Sequence, residues 1–138
     1  MSDTFYKVLN GDQSCHGGTF TWPLPKGDEP GEWVNLPGPL SICNHGFHIT
    51  KTPIDWFDEA NRSVYEVDYR GDIKHQDNKS VVLEVRLLRL LSKDELAIHG
   101  IYVLTSGEHK ISKGKVWASG SATVEAYGSA TVEAYGSA

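Results

Sequence analysis

The sequence contains very little cysteine: only Cys15 and Cys43 occur among its 138 residues. Two cysteines cannot supply the dense disulfide framework that stabilises many small secreted domains. The first residues, MSDTFYKVLNGD, also lack the basic stretch followed by an apolar run that marks a secretory signal. We therefore expect a cytoplasmic protein with both thiols reduced, and a Cys15–Cys43 disulfide is the alternative.

The sequence also lacks a surplus of positive charge and any long hydrophobic run. Its 13 Lys and Arg residues oppose 18 Asp and Glu residues, which gives a formal net charge of −5 at pH 7. Proteins that bind nucleic acid or anionic membranes usually carry a basic face. No apolar stretch approaches the roughly 20 residues of a membrane-spanning helix. We expect a small molecule or a protein as partner, not nucleic acid or a membrane.

Apolar and polar residues alternate along several short segments, which is typical of β-strands. Such segments begin at Phe5, Ser63 and Lys79. The stretch at 15–40, CHGGTFTWPLPKGDEPGEWVNLPGPL, is rich in Pro and Gly, which excludes a helix there. It predicts an ordered loop that is anchored by Trp22 and Trp33. The segment LLRLLSKDELAIHG fits either the end of a strand or the start of a helix.

The C-terminal residues repeat themselves: the octet GSATVEAY at 120–127 returns unchanged at 128–135. From Val116 onward every even position is small or apolar and most odd positions are polar. A period of two predicts strands whose even positions face inward. Glycines allow the chain to bend, so we expect each octet to stack on the previous one in a β-solenoid rung, Thr on Thr and Tyr on Tyr. A flexible low-complexity tail is the alternative.

These patterns together predict an α+β fold that is mostly β. We expect a compact mixed-sheet domain over residues 1–112, followed by a short β-solenoid-type octapeptide extension over residues 113–138. So few repeats do not form a stable solenoid alone. The extension should therefore dock on the body, pair with the tail of another chain, or belong to a longer array.

Two clusters, SCHGG and CNHGFH, gather both cysteines and several histidines. Cys43, His45 and His48, together with His16 or Cys15, offer the soft ligands that zinc prefers. In a strand, however, Cys43 and His45 share a face while His48 points to the other. No CxxC or HxxxH pair is present, so we predict no metal site. Histidines that are hydrogen-bonded within a loop are the plainer interpretation.

Four short motifs follow one another along the chain: HG at His16 and Gly17, GFHI at 46–49, VYEVDYRG at 64–71, and KSVVLEV from Lys79. Their order resembles that of ADP-ribosyltransferases of the poly(ADP-ribose) polymerase and diphtheria-toxin type. In that family the His-Gly pair holds NAD, the His through a ribose hydroxyl and the Gly through the carboxamide. The resemblance implies an ADP-ribosyltransferase-like fold, NAD as cofactor, and a ligand-binding role for His16 and Gly17.

Two positions depart from the pattern of that family. His48 stands where the family has a tyrosine stacked on nicotinamide, and Lys79 stands where it has the catalytic glutamate. A carboxylate there supports an oxocarbenium-like transition state, whereas a lysine would oppose the developing positive charge. Under this resemblance, Glu84 or Glu66 would have to serve as the catalytic carboxylate.

A longer set of motifs, CHGG, GEW, GFH, VYEVDYRGD and EVRLLR, spans the whole body of the chain. This set is similar to an uncharacterised domain family of phage and bacterial genomes that is often followed by repeats rich in Ala, Ser and Thr. The similarity implies the arrangement of a body with a repeat tail, and it implies no activity.

Three hypotheses about function follow. The first is a binding module that holds a nucleotide-like small ligand or a protein partner, with the repeat tail serving assembly by self-association. The second is an NAD-dependent ADP-ribosyltransferase-like enzyme, and the third is a structural protein that caps a β-solenoid. The candidate ligand-binding residues are His16, Gly17, His48, Trp22 and Trp33, and the candidate catalytic residues are Glu84 and Glu66. In a small β domain the tryptophans are more often anchors of the core than ligands.

Overall fold

The computed structural model describes residues 4–14, 20–37, 39–41 and 45–134. Strands dominate these residues, accompanied by a short α-helix and a single 3-10 turn. The expectation of a mostly β protein is therefore confirmed. The chain forms two compact units, Met1–Trp56 with Asn61–Leu91 and Phe57–Ala60 with Ser92–Ala138. Within the described ranges, no helix has the length and apolar composition that crossing a membrane requires.

The first unit is built on an antiparallel sheet. Its strands are β1 (Phe5–Asn10), β2 (Gln13–Ser14), β3 (Val34–Asn35), β4 (Phe47–Ile49), β5 (Arg62–Gln76) and β6 (Lys79–Leu90), and a 3-10 turn covers Pro53–Asp55. The strand order is β2-β1-β5-β6-β3, and β4 also pairs with β6. The long hairpin of β5 and β6 forms the centre of this unit, because β1, β3 and β4 each pair with one or the other and β2 pairs with β1.

The alternating sequence of β5 places apolar and charged side chains on opposite faces. Tyr65 and Val67 are buried, while Glu66 and Asp68 lie on the other face and keep partial contact with solvent. The core lies on the apolar face and contains Phe5, Leu9, Trp22, Phe47, Ile49, Tyr65, Val67, Val82, Val85 and Leu87. The alternation thus separates Tyr65 and Val67 from Glu66 and Asp68, although Val64, on the face of Glu66, is also buried.

The loop rich in Pro and Gly is fixed on the sheet through its backbone. The Gly31 N–H donates to the Leu87 carbonyl at 2.8 Å, and the Leu36 N–H donates to the Leu83 carbonyl at 2.9 Å. Trp22 is only 2% exposed and belongs to the core. The described part of the loop is therefore ordered, and it occupies the edge of β6 that would otherwise be open.

The second unit begins with a capped helix, α1 (Lys93–Ile98). The Ser92 hydroxyl accepts from the Glu95 N–H at 3.2 Å, and the Ser92 N–H donates to the Glu95 carboxylate at 3.1 Å. This reciprocal pair is a capping box, which satisfies two N–H groups that a helix start leaves open. It explains why β6 ends at Leu90 and a helix follows, a choice that periodicity alone left undecided.

Two parallel ladders follow the helix. Their strands are β7 (Ile101–Leu104), β8 (Glu108–Ile111), β9 (Lys115–Ala118), β10 (Thr123–Ala126) and β11 (Thr131–Ala134). One ladder has the order β7-β9-β11 and the other has the order β8-β10. The chain alternates between the ladders, so each strand pairs with the strand before last.

This arrangement corrects two expectations about the repeat. Thr123 lies beside Glu108 and Thr131 lies beside Lys115, so the two octets occupy different ladders and their threonines do not stack on each other. The inward-facing rule also fails at Trp117, an odd position that is only 4% exposed. The buried Phe57 covers this side, with its ring centroid 4.9 Å from that of Trp117.

Candidate functional site

The residues selected from the sequence fall into three groups in the structure. His16 and Gly17 lie outside the described residues, as do Cys15 and Cys43. Trp22 and His48 lie close to one lysine of β1, as the distances below show. Glu66 and Glu84 belong to a row of charged side chains on β5 and β6, and Trp33 contacts two arginines of that row.

The group that contains Trp22 and His48 surrounds the ammonium group of Lys7. Lys7 Nζ donates to the backbone carbonyl of His48 at 2.8 Å and lies 5.5 Å from the centroid of the Trp22 ring. Phe20 and Phe47 meet that ring edge to face, with centroid distances of 5.4 and 5.2 Å. We call Lys7, Phe20, Trp22, Phe47 and the backbone of His48 the Lys7 patch; the imidazole of His48 lies on the opposite face of β4 from the Phe47 ring.

The Lys7 patch is held together by pairing between β1 and the chain after β4. The Tyr6 N–H donates to the Thr50 carbonyl at 2.7 Å, and the Thr50 N–H donates back to the Tyr6 carbonyl at 2.9 Å. This pairing brings β1 beside the segment that carries His48. Phe20 is 41% exposed, whereas Trp22 and Phe47 are buried beneath it. An aromatic face therefore remains open to solvent next to a cation.

The electrostatic environment of His48 is positive. Burial lowers the pKa of His48 below its ordinary value of 6.5, and the charges of Lys7 and Lys79 lower it further. The imidazole is therefore neutral near pH 7, with one nitrogen as donor and the other as acceptor. An anion beside this ring would gain from both ammonium groups.

The group that contains Glu66 and Glu84 is a row of ion pairs between β5 and β6. We call this row the charged ladder. Its pairs are Glu66 with Arg89 at 3.1 Å, Asp68 with Arg86 at 3.4 Å, and Arg70 with Glu84. Each pair joins residues that are direct partners in the β5–β6 register. Cross-strand partners interact strongly in sheets, which makes these pairs a local consequence of the alternating sequence.

Trp33 lies over the charged ladder. The guanidinium carbons of Arg70 and Arg86 are 4.1 and 4.8 Å from the centroid of its ring. Such cation–π contacts contribute about 0.5–1 kcal/mol each at exposed sites. Trp33 thus fastens the loop to the polar face of the sheet and does not join Trp22 in one pocket.

Glu66 lies opposite Tyr6 in the pairing of β1 with β5, and Tyr6 pairs with Thr50, two residues after His48. Strand β1 therefore lies between Glu66 and the segment that carries His48. On β6, His48 pairs opposite Val81. Glu84 is only three residues from Val81, but its carboxylate accepts from Arg70. Both candidate catalytic carboxylates are therefore engaged with arginines.

Sequence reasoning overlooked Lys7, although a signal for it exists. Phe5, Lys7 and Leu9 share one side of β1, and Phe5 and Leu9 are buried at 3% and 0% exposure. A lysine on the apolar side of a strand needs polar partners for its ammonium group. The His48 carbonyl and the Trp22 ring supply them. The signal in the sequence was a lysine, Lys7, at a position where the alternating pattern of β1 otherwise has apolar residues.

The described residues contain no group of three or more His, Cys, Asp or Glu side chains that could hold a metal ion. Of the residues weighed as zinc ligands, His45 bonds through Nε2 to the Pro37 carbonyl. The cysteines of that alternative lie outside the part of the chain that the structure describes.

Comparison with known proteins places the chain in a family. No curated protein and no solved structure shows significant similarity to it. The model of one protein family, described as a domain of unknown function, matches residues 4–99. The match includes the whole antiparallel sheet and α1, and it ends just before the parallel ladders begin at Ile101. It covers well over half of the sequence, and the chain therefore belongs to this family, DUF7666.

Proposed function

We propose that this protein is a binding module without catalytic turnover. Its first unit holds a small anionic ligand that carries an aromatic ring, such as a nucleotide, at the Lys7 patch. Its second unit is a short β-solenoid that serves assembly.

The observation that carries the ligand proposal is the placement of Lys7. Its ammonium group lies between the backbone of His48 and the ring of Trp22. Lys79 adds a second positive charge near the same imidazole. Two cations beside a neutral imidazole favour a phosphate or carboxylate group, because charge-assisted hydrogen bonds are about twice as strong as neutral ones.

The aromatic members of the patch support a ligand with a ring. Phe20 contacts both Trp22 and Phe47, with centroid distances of 5.4 Å to each, and its outer face is exposed. Stacking of a base on such a ring contributes roughly 1–3 kcal/mol in single-stranded nucleic-acid complexes. His16 and Gly17 precede Phe20 closely in sequence, and we assign them to the same site as a prediction.

Binding without turnover follows from the charges around His48. An ADP-ribosyl transfer builds positive charge on the ribose and needs a carboxylate to stabilise it. At His48 the neighbouring charges that shift the pKa are those of Lys7 and Lys79. Glu84 is paired with Arg70 and Glu66 with Arg89. A positive field suits a bound anion and disfavours that transition state.

Calorimetric titration with ATP, NAD and inorganic phosphate tests this proposal. We expect ATP to bind, and Lys7→Gln to weaken it by about 10- to 100-fold, since a hydrogen bond to a charged group contributes about 1.5–3 kcal/mol. Lys113→Gln, an equal charge change at an exposed residue of the second unit, should leave binding unchanged. Equal affinity in wild type and Lys7→Gln would refute the site, and release of nicotinamide from NAD would favour the transferase.

The β-solenoid proposal is supported by the spacing of the parallel pairs. Lys115 lies beside Ile101, fourteen positions earlier, and Thr131 lies beside Lys115, sixteen positions earlier. Thr123 lies beside Glu108, fifteen positions earlier. One turn of 14–16 residues that contributes one strand to each of two ladders is the geometry of a two-sided solenoid rung. Each octet then supplies one strand and one turn, and two octets make a rung.

A further inference from the structure

The turn between β1 and β2 carries an acidic side chain, Asp12. Asn10 pairs with Gln13, so Gly11 and Asp12 form a two-residue turn between the strands. Gly11 has a φ of 63°, as the first central residue of a type I′ or II′ hairpin turn requires. Asp12 follows it and is exposed. The hairpin therefore presents a carboxylate that a ligand can reach.

Two backbone contacts hold this turn against the aromatic part of the Lys7 patch. The Trp22 N–H donates to the Asp12 carbonyl at 2.7 Å. Gln13, the next residue, forms a β-bridge with Thr21. Because both contacts use backbone groups, neither of them occupies the Asp12 carboxylate. The turn thus lies directly beside the segment that carries Phe20 and Trp22.

Tyr65 connects the Asp12 carboxylate with Lys7. Tyr65 is the direct partner of Lys7 in the β1–β5 register, and the Cβ atoms of such partners lie about 4.5–5.5 Å apart on one face of a sheet. Burial raises the pKa of Tyr65 above its ordinary value of 10.0, and the negative charge of Asp12 raises it further. Lys7 and Asp12 are therefore both neighbours of one side chain, close enough for a single nucleotide to contact both.

The opposite charges of Lys7 and Asp12 suit different parts of a nucleotide. An ammonium group attracts phosphate, whereas a carboxylate repels it. An ionised carboxylate accepts hydrogen bonds and donates none. The part of the ligand beside Asp12 must therefore offer neutral O–H or N–H donors. The ribose meets this condition, because it joins the phosphate to the base and carries two adjacent hydroxyl groups.

We propose that Asp12 accepts hydrogen bonds from the ribose hydroxyl groups of the bound nucleotide, so that the site selects ribonucleotides over 2′-deoxyribonucleotides. This inference rests on the proposal that the Lys7 patch binds a nucleotide. In this arrangement Lys7 contacts the phosphate, Phe20 stacks on the base, and Asp12 holds the ribose between them. An Asp or Glu that bonds the ribose 2′-hydroxyl serves the same purpose in dinucleotide-binding α/β folds.

Calorimetric titration of the full chain with ATP and with 2′-deoxy-ATP tests the inference. We expect the wild type to bind ATP about 10-fold more tightly, near the lower end of what a hydrogen bond to a charged group contributes, because Asp12 is exposed. Asp12→Ala removes the carboxylate and keeps the backbone carbonyl that binds Trp22. This variant should bind the two nucleotides with equal Kd.

Asp28→Ala is the matched control for this measurement. Asp28 is also exposed and carries the same charge, but it belongs to a separate tight turn in which Lys26 and Glu29 exchange backbone hydrogen bonds. Asp28→Ala should keep the preference for ATP. An equal loss of the preference in both variants would overturn the inference, because it would reflect net charge and not a bond to the ribose.

Inosine triphosphate distinguishes the ribose from the amino group of the base, because it keeps the ribose and lacks the amino group of adenine. The ratio of its Kd to that of ATP should be the same in the wild type and in Asp12→Ala. If Asp12→Ala changes this ratio and not the ratio for 2′-deoxy-ATP, Asp12 binds the base and the inference is wrong. Equal binding of ATP and 2′-deoxy-ATP by the wild type refutes only the ribose contact, whereas binding of neither refutes the nucleotide site itself.

Discussion

At the scale of single residues, position decides the role of chemically equivalent side chains. Lys7 lies on the apolar side of β1 and is partnered by the Trp22 ring and the His48 carbonyl. Lys110 lies on an exposed strand and approaches the equally exposed Glu125. An exposed pair of this kind contributes little to stability. The same residue type is therefore informative about function in one place and not in the other.

The lowered pKa of His48 predicts a pH dependence of stability. Between its folded-state pKa and its ordinary value of 6.5, the unfolded chain binds more protons at this group than the folded protein does. The contribution of His48 to the free energy of unfolding should therefore rise with pH through that window, and it should be lost as the pH falls below 6.5. Between pH 5 and 7, the melting temperature of His48→Gln should depend less steeply on pH than that of the wild type.

His99→Gln is the matched control for this measurement, because His99 follows α1 in the second unit. A pH dependence that changes equally in both variants would contradict the assignment to His48. Bound phosphate should raise the pKa of His48, because it adds negative charge beside the imidazole. ATP should then bind more tightly as the pH falls.

At the scale of elements, the strands of the second unit are short because glycine turns interrupt them. Gly107, Gly114, Gly120 and Gly128 all have φ between 61° and 101°, a region that other residues rarely adopt. These turns also stack closely. A Cβ atom at Gly120 would lie 2.7 Å from the carbonyl oxygen of Thr105 in the turn before β8. Gly120 therefore serves both the backbone conformation and the close contact between turns.

Replacement of Gly120 by alanine should destabilise the second unit more than backbone strain alone explains. Gly11 has nearly the same φ, 63° against 61°, but nothing lies within 4 Å of its Cβ position. Gly11→Ala should therefore cost only the left-handed penalty of about 1–2 kcal/mol. We expect Gly120→Ala to cost more, measured as lost amide protection at Thr123 by native-state hydrogen exchange. Equal costs for the two variants would argue against stacked turns.

At the scale of the whole molecule, the chain combines two kinds of order. The first unit is an antiparallel sheet that pairs residues far apart in sequence, with Phe5 beside Val67. The second unit pairs residues 14–16 positions apart throughout its ladders. In the solenoid that we propose for this unit, stability should grow with each added repeat, because every new strand contacts only its neighbours.

Insertion of two further GSATVEAY octets after Tyr127 should extend the second unit by one rung. Each octet supplies a strand of four residues, as β10 and β11 do. We expect new protected amides in both inserted octets and a higher melting temperature for the second unit. A scrambled insert of the same composition is the control, since it loses the alternation. Equal exchange rates in the ordered and scrambled inserts would contradict the solenoid.

Much of the first unit followed from local pattern. The strand predicted at Phe5–Asn10 has those bounds in the structure. The alternation in β5 correctly separated Tyr65 and Val67 from Glu66 and Asp68. β5 continues past Gly71 to Gln76 through an irregularity in its pairing with β6. Pairing with a long neighbouring strand outweighed the local preference of glycine for a turn.

The candidate site was less accessible to such reasoning. Trp22 and Trp33 looked equivalent in the sequence, yet Trp22 lies beside Lys7 and Trp33 lies over Arg70 and Arg86. Their neighbours come from distant strands, and no sequence pattern within the loop specifies which strand each ring will contact. The roles of His16 and Gly17 remain predictions.

The sequence by itself determined the mostly β character, the buried face of the central hairpin and the repeat, because each depends on periodicity along the chain. The tertiary structure alone decided the parallel pairing of the octets and the position of Trp117 beneath Phe57. It also decided which charges surround His48. These features depend on contacts between segments, and a period of two is satisfied equally by many pairings.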